Sequence, residues 1–335
     1  MTSTTKSAHG VAPTTPRRRS VRLSDFAPYI ALIVIVLVGA LINSNFLGIN
    51  NLTNIVTRSA FIAIIAVGAT FVIASGGIDL SVGSMMAFVT GIMIMTMNAL
   101  VPALGPMAIP VGALVALVVG GLCGLFNGLI VTLGKIEPFI VTLGTMGIFR
   151  AFITFMTDGG SLPIDRTLRE AYRPVYFGNV MGIPIPVLIT VIVALAAGFL
   201  LYRTKFGRRL TAAGSSPDVA RFSGVHVGRV RTLAYVIQGV CVSIAAICYV
   251  PRLGAATPTT GQLWELQVIT AVVIGGTLLR GGKGRIGGTI AGVLILEIIA
   301  NVMVLSNMVS EYLVAAVQGA IIIIAMLAHR LTSGR

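Results

Sequence analysis

Residues 55–84 read IVTRSAFIAIIAVGATFVIASGGIDLSVGS. The part through Ser75 is an apolar run with a single charge, Arg58, and it is as long as the roughly 17–25 residues that carry an α-helix across a bilayer. Gly76-Gly77 then breaks the helix, and a second apolar run starts at Val82. In hydrocarbon every backbone N–H and C=O must be bonded internally, so repeated runs of this kind predict a bundle of spanning helices. Working outward, similar runs occupy 26–42, 82–104, 108–133, 139–156, 185–202, 232–250, 266–279, 288–308 and 312–328. With 55–75 they make ten. The 266–279 run is short and 82–104 contains Gly and Asn, so eight or nine full crossings stay open. The expected fold class is all-α, a polytopic transmembrane helix bundle of about 10 TM helices (8–10).

Composition agrees with this reading. Of the 335 residues, 56% are hydrophobic and 10% charged, and the mean hydropathy is +0.97. Soluble domains carry about 25% charged residues, so a cytosolic enzyme or a secreted module is excluded. A net charge of +14 in a soluble protein would suggest nucleic acid, but here the cations sit in short segments between apolar runs. Lys and Arg are retained on the cytoplasmic side of a membrane. With ten spans and an inside N-terminus, 18 of the 24 Lys and Arg fall inside, four fall outside, and Arg58 and Arg150 lie within spans. Both termini are therefore expected in the cytoplasm. Residues 1–25, rich in Ser, Thr and Pro and holding Arg17, Arg18, Arg19 and Arg22, form a disordered basic tail. Residues 26–328 are expected to form a single transmembrane domain and 329–335 a second cytoplasmic tail. A twin-arginine or secretory signal is the alternative for the first run, but no Ala-x-Ala site follows it.

Catalytic groupings are missing from the pattern. The histidines His9, His226 and His329 lie off the spans, and Cys123, Cys241 and Cys248 sit singly in apolar runs as packing residues. Glu297 is the one acid inside a span, a weak basis for an ion-coupled transporter. Residues 282–287, GKGRIG, fit G-x-G-x-x-G but follow an apolar helix, without the later acid of a dinucleotide site. They also lack the spacing of a P-loop, so any ATP must be bound by another chain.

Three segments carry more information. In 75–84 the glycine pair ends one helix and Asp79, with Ser81 and Ser84, is placed to cap the next; a simple tight turn is the competing reading. The basic 203–231 loop contains a short helix from Ser216 to Ser223, with Asp218 in its first turn and Gly224 as its stop. It reads either as a docking element or as a solvated connector. The 157–184 loop mixes three acids with Arg166, Arg169 and Arg173. Gly120, Gly124 and Gly128, like Gly288 and Gly292, repeat every four residues and suit close helix packing, within the bundle or between subunits.

Residues Gly76-Gly77-Ile78-Asp79-Leu80-Ser81-Val82-Gly83 resemble the signature of the permease subunits of ribose-type ABC importers, a group that also serves galactose, xylose, arabinose, galactofuranose and autoinducers. The segment from Thr204-Lys205-Phe206-Gly207-Arg208 to Gly224-Val225 is similar to that family's cytoplasmic loop, with Ser216 and Val219 where Asn and Ala are common. A third match is Gly275-Gly276-Thr277-Leu278-Leu279 through Gly281, Gly282 and Gly284, followed by Gly288-Thr289 and Asn301. The resemblance spans about 45–328 and implies a multi-pass permease of the bacterial plasma (inner) membrane, with no catalysis and no cofactor of its own. It implies three partners: a periplasmic solute-binding protein, a second permease chain (a copy or a homologue), and an ABC ATPase with two fused cassettes. Gly76, Gly77, Asp79, Ser81 and Gly83 would then be a mechanical helix break. Gly207, Gly214, Ser215, Asp218, Ala220, Arg221, Phe222 and Gly224 would couple to the ATPase, the small residues allowing its close approach. Arg166, Arg169 and Arg173, with Arg252, are the candidates for docking the binding protein. An ion-coupled secondary sugar transporter is the alternative.

Overall fold

The structure, a computed structural model, describes residues 26–306 together with Leu313, Ala316, Val317, Gly319 and Ala320. The two tails and the span expected at 312–328, apart from those five residues, lie outside the described residues. The chain is an all-α membrane protein. Helices of spanning length are α2 (Ile49–Ala74), α3 (Val82–Leu104), α4 (Ala108–Leu133), α5 (Pro138–Met156), α8 (Ile185–Arg203), α11 (Val227–Leu253) and α13 (Ile286–Leu305). Among the described residues these form six apolar stretches, because α3 and α4 are joined by a 3-10 turn at Gly105–Met107 into one stretch of 52 residues. That stretch folds back on itself. A Cβ on Gly112 of α4 would lie 2.5 Å from Met97 of α3, and at the other end Asn127 Nδ2 donates to Ser81 Oγ at 2.9 Å.

Two expected crossings are shorter than a bilayer. Helix α1 is Ala27–Ile42, 16 residues, and α12 is Trp264–Ile274, 11 residues. At 1.5 Å per residue α12 is only about 16 Å long, half the hydrocarbon thickness. The apolar run 266–279 overstated it because Gly275-Gly276 stops the helix and 277–285 continues as irregular backbone.

Helix α2 is the hub, buried along nearly its whole length and packed on α8, α11, α12 and α13. The tightest pair is α4 with α11. Gly120, Gly124 and Gly128 leave no room for a side chain there: a Cβ on Gly128 would lie 2.8 Å from Thr232 Cα. Ser243 Oγ donates to Ala116 O at 2.7 Å and Thr132 Oγ1 meets Thr232 Oγ1 at 3.0 Å across the same seam. The four-residue glycine repeat thus serves packing within the chain. Gly288 and Gly292 do the same for α13 against α12. Asn51 and Asn301 exchange amide hydrogen bonds of 3.1 and 2.8 Å, fixing the start of α2 to α13.

Both long loops are more ordered than their composition suggested. The 157–184 loop contains β1 (Leu162–Pro163), α6 (Arg166–Tyr172), α7 (Pro174–Phe177) and the β2–β3 hairpin (Asn179–Val180, Ile183–Pro184). Strand β1 pairs with β4 (Ala255–Ala256), tying this loop to the far end of α11. The 203–231 loop contains α9 (Lys205–Ser215) and α10 (Pro217–Phe222). The molecule therefore has two ends. One carries 75–81, the α4–α5 turn, α9, α10 and 280–285; the other carries β1, α6, α7 and the segment after α11.

Candidate functional site

Residues 76–83, 204–225 and 275–284 converge at one end. Helix α2 closes with Gly76 N–H bonded to Ile73 O (2.9 Å) and Gly77 N–H to Val72 O (3.0 Å), Gly76 having φ +84°. Helix α12 closes identically: Gly276 N–H to Val273 O (2.9 Å), Thr277 N–H to Val272 O (3.2 Å), φ +84° at Gly276. This pair of bonds around a left-handed residue is a Schellman stop, which a Cβ would oppose. The end of α9 lies between the stop of α2 and the loop that follows the stop of α12. Gly282 N–H donates to Ala74 O at 2.9 Å. A Cβ on Gly214 would sit 2.6 Å from Gly282 N and closer still to Ala74 O. A Cβ on Gly281 would sit 2.8 Å from Gly214 O and 2.9 Å from Gly76 N. Three backbones touch here with no side chain between them.

Neighbouring helices hold the 75–81 segment from every side. From α11, Arg231 Nε donates to Ser75 O (3.1 Å) and Tyr235 Oη donates to Ile78 O (3.1 Å), gripping both flanks of the glycine pair. Thr142 of α5 reaches the same Ile78 carbonyl at 3.4 Å. Asp79 is buried, and its Oδ1 accepts from Ser81 N (2.9 Å) and Ser81 Oγ (2.6 Å). Asn127 completes the chain through Ser81 Oγ. Asp79 does not cap α3: the helix begins at Val82 with Ser81 at its N-cap position, two residues past Asp79, so this short side chain fastens Ser81 instead of the first-turn N–H groups. Asp79 Oδ2 and Asn127 Oδ1 are buried without a hydrogen-bond partner among the described residues. Gly83 packs on the turn before α12, where a Cβ would lie 2.5 Å from Glu265 Oε2.

Beyond the junction, α9 crosses the end of α8, with Gly207 against Leu201 and Thr204 Oγ1 accepting from Gly207 N at 3.3 Å. Helix α10 starts and stops where sequence placed it. Ser216 precedes it, Asp218 is in its first turn, and Gly224 at φ +78° ends it, with Val225 N–H bonded to Ala220 O (3.0 Å). The faces differ from expectation. Gly207, Gly214 and Ala220 are buried against the protein itself, so their small size serves internal packing and not a partner's approach. Phe222, 93% exposed, and Val219, 63% exposed, are what α10 presents outward, beside Asp218 and Arg221, which pair at 3.3 Å. Ser215 is exposed, at the edge of the junction.

At the opposite end, Arg169, Arg173 and Arg252 line one cavity of about 220 Å3 with Glu170. Arg166 starts α6 outside it. Arg173 also lies over the Phe177 ring (5.4 Å) and Arg252 over Tyr249 (5.8 Å). Asp165 caps α6, accepting from Thr167 Oγ1 (2.6 Å) and Thr167 N (2.8 Å), and these bonds hold its carboxyl below the usual range. Sequence reading missed Arg231 and Tyr235, and their spacing of four on α11 was the available signal. Arg150, placed within a span, donates through Nη1 to Thr260 O (2.8 Å) and to Pro258 O.

Residues 51–326 match the family described as the permease component of branched-chain amino acid transport systems. Among curated proteins, the chain is 38% identical over 311 residues to the ribose import permease protein of Bacillus subtilis, covering 92% of this chain and 93% of that one. The ribose import permease protein of Escherichia coli is also 38% identical, over 89% of this chain and 91% of its own length. The D-allose transport system permease protein of Escherichia coli is 35% identical, over 91% of each. The match takes in both helix stops, α9, α10 and the cavity of Arg169, Arg173 and Arg252. A chain whose basic 203–231 loop meets the glycine stop of α2 and the Gly281-Gly282 loop in one backbone junction, and which aligns over nine-tenths of its length with such proteins, belongs to this family of transport permeases.

Proposed function

We propose that this chain is the membrane-spanning subunit of an ABC importer and forms the pathway for a monosaccharide. The observation that carries the reading is the junction: an exposed α10 next to α9, whose end is wedged between the stop of α2 and the Gly281-Gly282 loop that follows α12. A force applied at α10 is passed on through backbone contacts, which yield less than side chains. The sugar assignment rests on the ribose and allose permeases that it resembles.

In this reading the permease domain spans 26–328 in the plasma (inner) membrane, with about ten crossings and both termini in the cytoplasm. The end carrying α9 and α10 faces the cytoplasm, in accord with its excess of Lys and Arg. A separate ATPase with two fused cassettes seats on Phe222 and Val219, with Arg221 and Asp218 at the rim. A binding protein docks at the other end, a carboxylate entering the cavity of Arg169, Arg173 and Arg252. A second permease chain, a copy or a homologue, completes the complex. When the cassettes close, α10 and α9 move, and Gly214 carries the displacement to Gly76 and Gly282. Asp79, Arg231 and Tyr235 keep the break from absorbing it.

The test is reconstitution of the chain with its ATPase and binding protein. Binding protein loaded with ribose, allose or arabinose should stimulate ATP hydrolysis. The reading fails if the chain assembles with no ATPase, or if no monosaccharide stimulates hydrolysis while an amino acid does.

A further inference from the structure

The inner end of the molecule carries a second feature that shares only Arg221 with the coupling surface, a groove of about 780 Å3 between the end of α4 and the start of α11. Its apolar walls include Leu129, Leu133 and Leu233, and its rim holds Arg221, His226 and Arg229. Leu133 is 76% exposed and Leu233 50%. The wall does not stand alone. Leu114, Val118, Leu122, Phe126, Leu129 and Leu133, all exposed, follow one another at steps of three or four, a single stripe along the length of α4. On a spanning helix such a stripe faces hydrocarbon. It runs into the groove, and there it meets cations. Arg229 makes no hydrogen bond or ion pair among the described residues, and Arg221 is paired with Asp218 only through an exposed contact. The adjoining cavity shares Arg221 and adds Lys135 and Arg231, against one carboxylate, Glu137, so its cations stay in excess.

An acyl-chain track that ends in a cluster of arginines has the chemistry of one molecule, a phospholipid with an anionic headgroup. Basic pockets between spanning helices at the cytoplasmic surface recognise such headgroups, and Arg forms strong charge-assisted bonds to phosphate. A second copy of the chain is a poorer occupant. Two-fold pairing about an axis normal to the membrane brings like depths together, so the two cationic rims would face each other. The ATPase could cover the rim but not the stripe, which runs the length of the membrane-spanning helix. We propose that the groove between α4 and α11 binds one anionic phospholipid of the cytoplasmic leaflet, its phosphate at Arg229 and Arg221 and its chain along the α4 stripe. The proposal rests on the cytoplasmic placement of α9 and α10 given above.

The experiment counts lipids on the delipidated, assembled complex by native mass spectrometry during titration with phosphatidylglycerol or phosphatidylcholine. The wild-type complex is expected to retain one phosphatidylglycerol per permease chain at least tenfold more tightly than phosphatidylcholine. Arg229→Glu with His226→Gln should weaken that retention at least tenfold. The Arg208→Glu, Arg209→Glu pair, exposed on α9, should leave it unchanged. If the first variant does not accumulate, Leu133→Glu places a carboxylate on the exposed wall and should give the same loss. Millimolar inorganic phosphate should not displace the lipid; displacement would mean a free-phosphate site and overturn the proposal. Equal retention of both lipids, or equal retention by the Arg229 and Arg208/Arg209 variants, would mean annular lipid and overturn it. So would binding to the permease alone that vanishes on assembly, since a protein partner would then fill the groove. Sidedness is read separately, by thiol labelling, so its failure is distinguishable from loss of the lipid site.

Discussion

Gly214→Ala is the smallest change that enters the junction. The added methyl would stand 2.6 Å from Gly282 N, within the 2.9 Å hydrogen bond that Gly282 N–H makes to Ala74 O. Ordinary carbon–nitrogen contact begins near 3.4 Å, so α9 must retreat from Gly282 by at least about 0.8 Å, and further from Ala74 O at the α2 stop. The wedge breaks one buried backbone hydrogen bond, worth about 0.5–1.5 kcal/mol, and overpacks a rigid contact at about 1–3 kcal/mol. The sum is roughly 1.5–4.5 kcal/mol, lost where motion is meant to be transmitted. In the reconstituted complex, Gly214→Ala should lower the thermal midpoint of the permease and leave ATP hydrolysis running without sugar uptake. The control is Gly144→Ala on α5, where an added Cβ meets nothing within 4 Å, and it should behave as wild type. If Gly214→Ala keeps the wild-type midpoint and the wild-type ratio of sugar moved to ATP hydrolysed, the junction neither bears load nor transmits it.

Asp79→Ala leaves the buried Ser81 N–H and hydroxyl without their acceptor, at about 1–3 kcal/mol, whereas Asp79→Asn keeps that acceptor and adds a donor near the unpartnered Asn127 oxygen; equal loss of folded protein in both would refute this role. Phe222→Asp should abolish co-purification with the ATPase without affecting membrane insertion, because the ring is 93% exposed in the free permease; normal assembly would move the docking face elsewhere. Ala220→Trp should unfold the α9–α10 region, since Ala220 is buried inside the chain, and a stable, fully active Trp variant would contradict that placement. Reversing Arg169, Arg173 and Arg252 to Glu should slow binding-protein association steeply at low salt, with little effect on ATP hydrolysis in its absence; an unchanged association rate would remove the outer cavity from docking. Cysteines at Ser161 and Ser215, both exposed, should report opposite sides of the membrane, the three native thiols being buried, and labelling of Ser215→Cys from outside intact cells would invert the topology.

Membrane class and most helix positions were legible because hydrocarbon imposes one rule, internal satisfaction of the backbone, and length and polarity report it directly. The stop of α10 at Gly224 was legible for a local reason too, a left-handed residue after a short helix. Helix α9 was not. Lys205, Arg208 and Arg209 read as a topogenic loop, and only Leu210, Ala213 and Gly214, buried against other segments, make it a packed helix. The span expected at 266–279 was too long because hydropathy counts Leu278 and Leu279 as membrane residues and ignores the left-handed Gly276 that ends α12. The individual glycine motifs could be picked out, but their meeting could not. Gly76, Gly214 and Gly282 are far apart in sequence, and nothing local in any of them says that their backbones touch. The same holds for Gly214 and Ala220, whose small size looks alike whether it serves a partner or the chain's own core.

The central claim, that this permease is driven by a separate ATPase and not by an ion gradient, is tested most directly in proteoliposomes carrying the complete complex, with ATP available on the ATPase side and ribose-loaded binding protein on the other. Uptake should require both ATP and binding protein and should be unchanged when a protonophore and a sodium ionophore collapse the gradients. Sugar accumulation that proceeds without ATP, stops with the ionophores and is lost in Glu297→Gln would contradict the account and make the chain a secondary transporter.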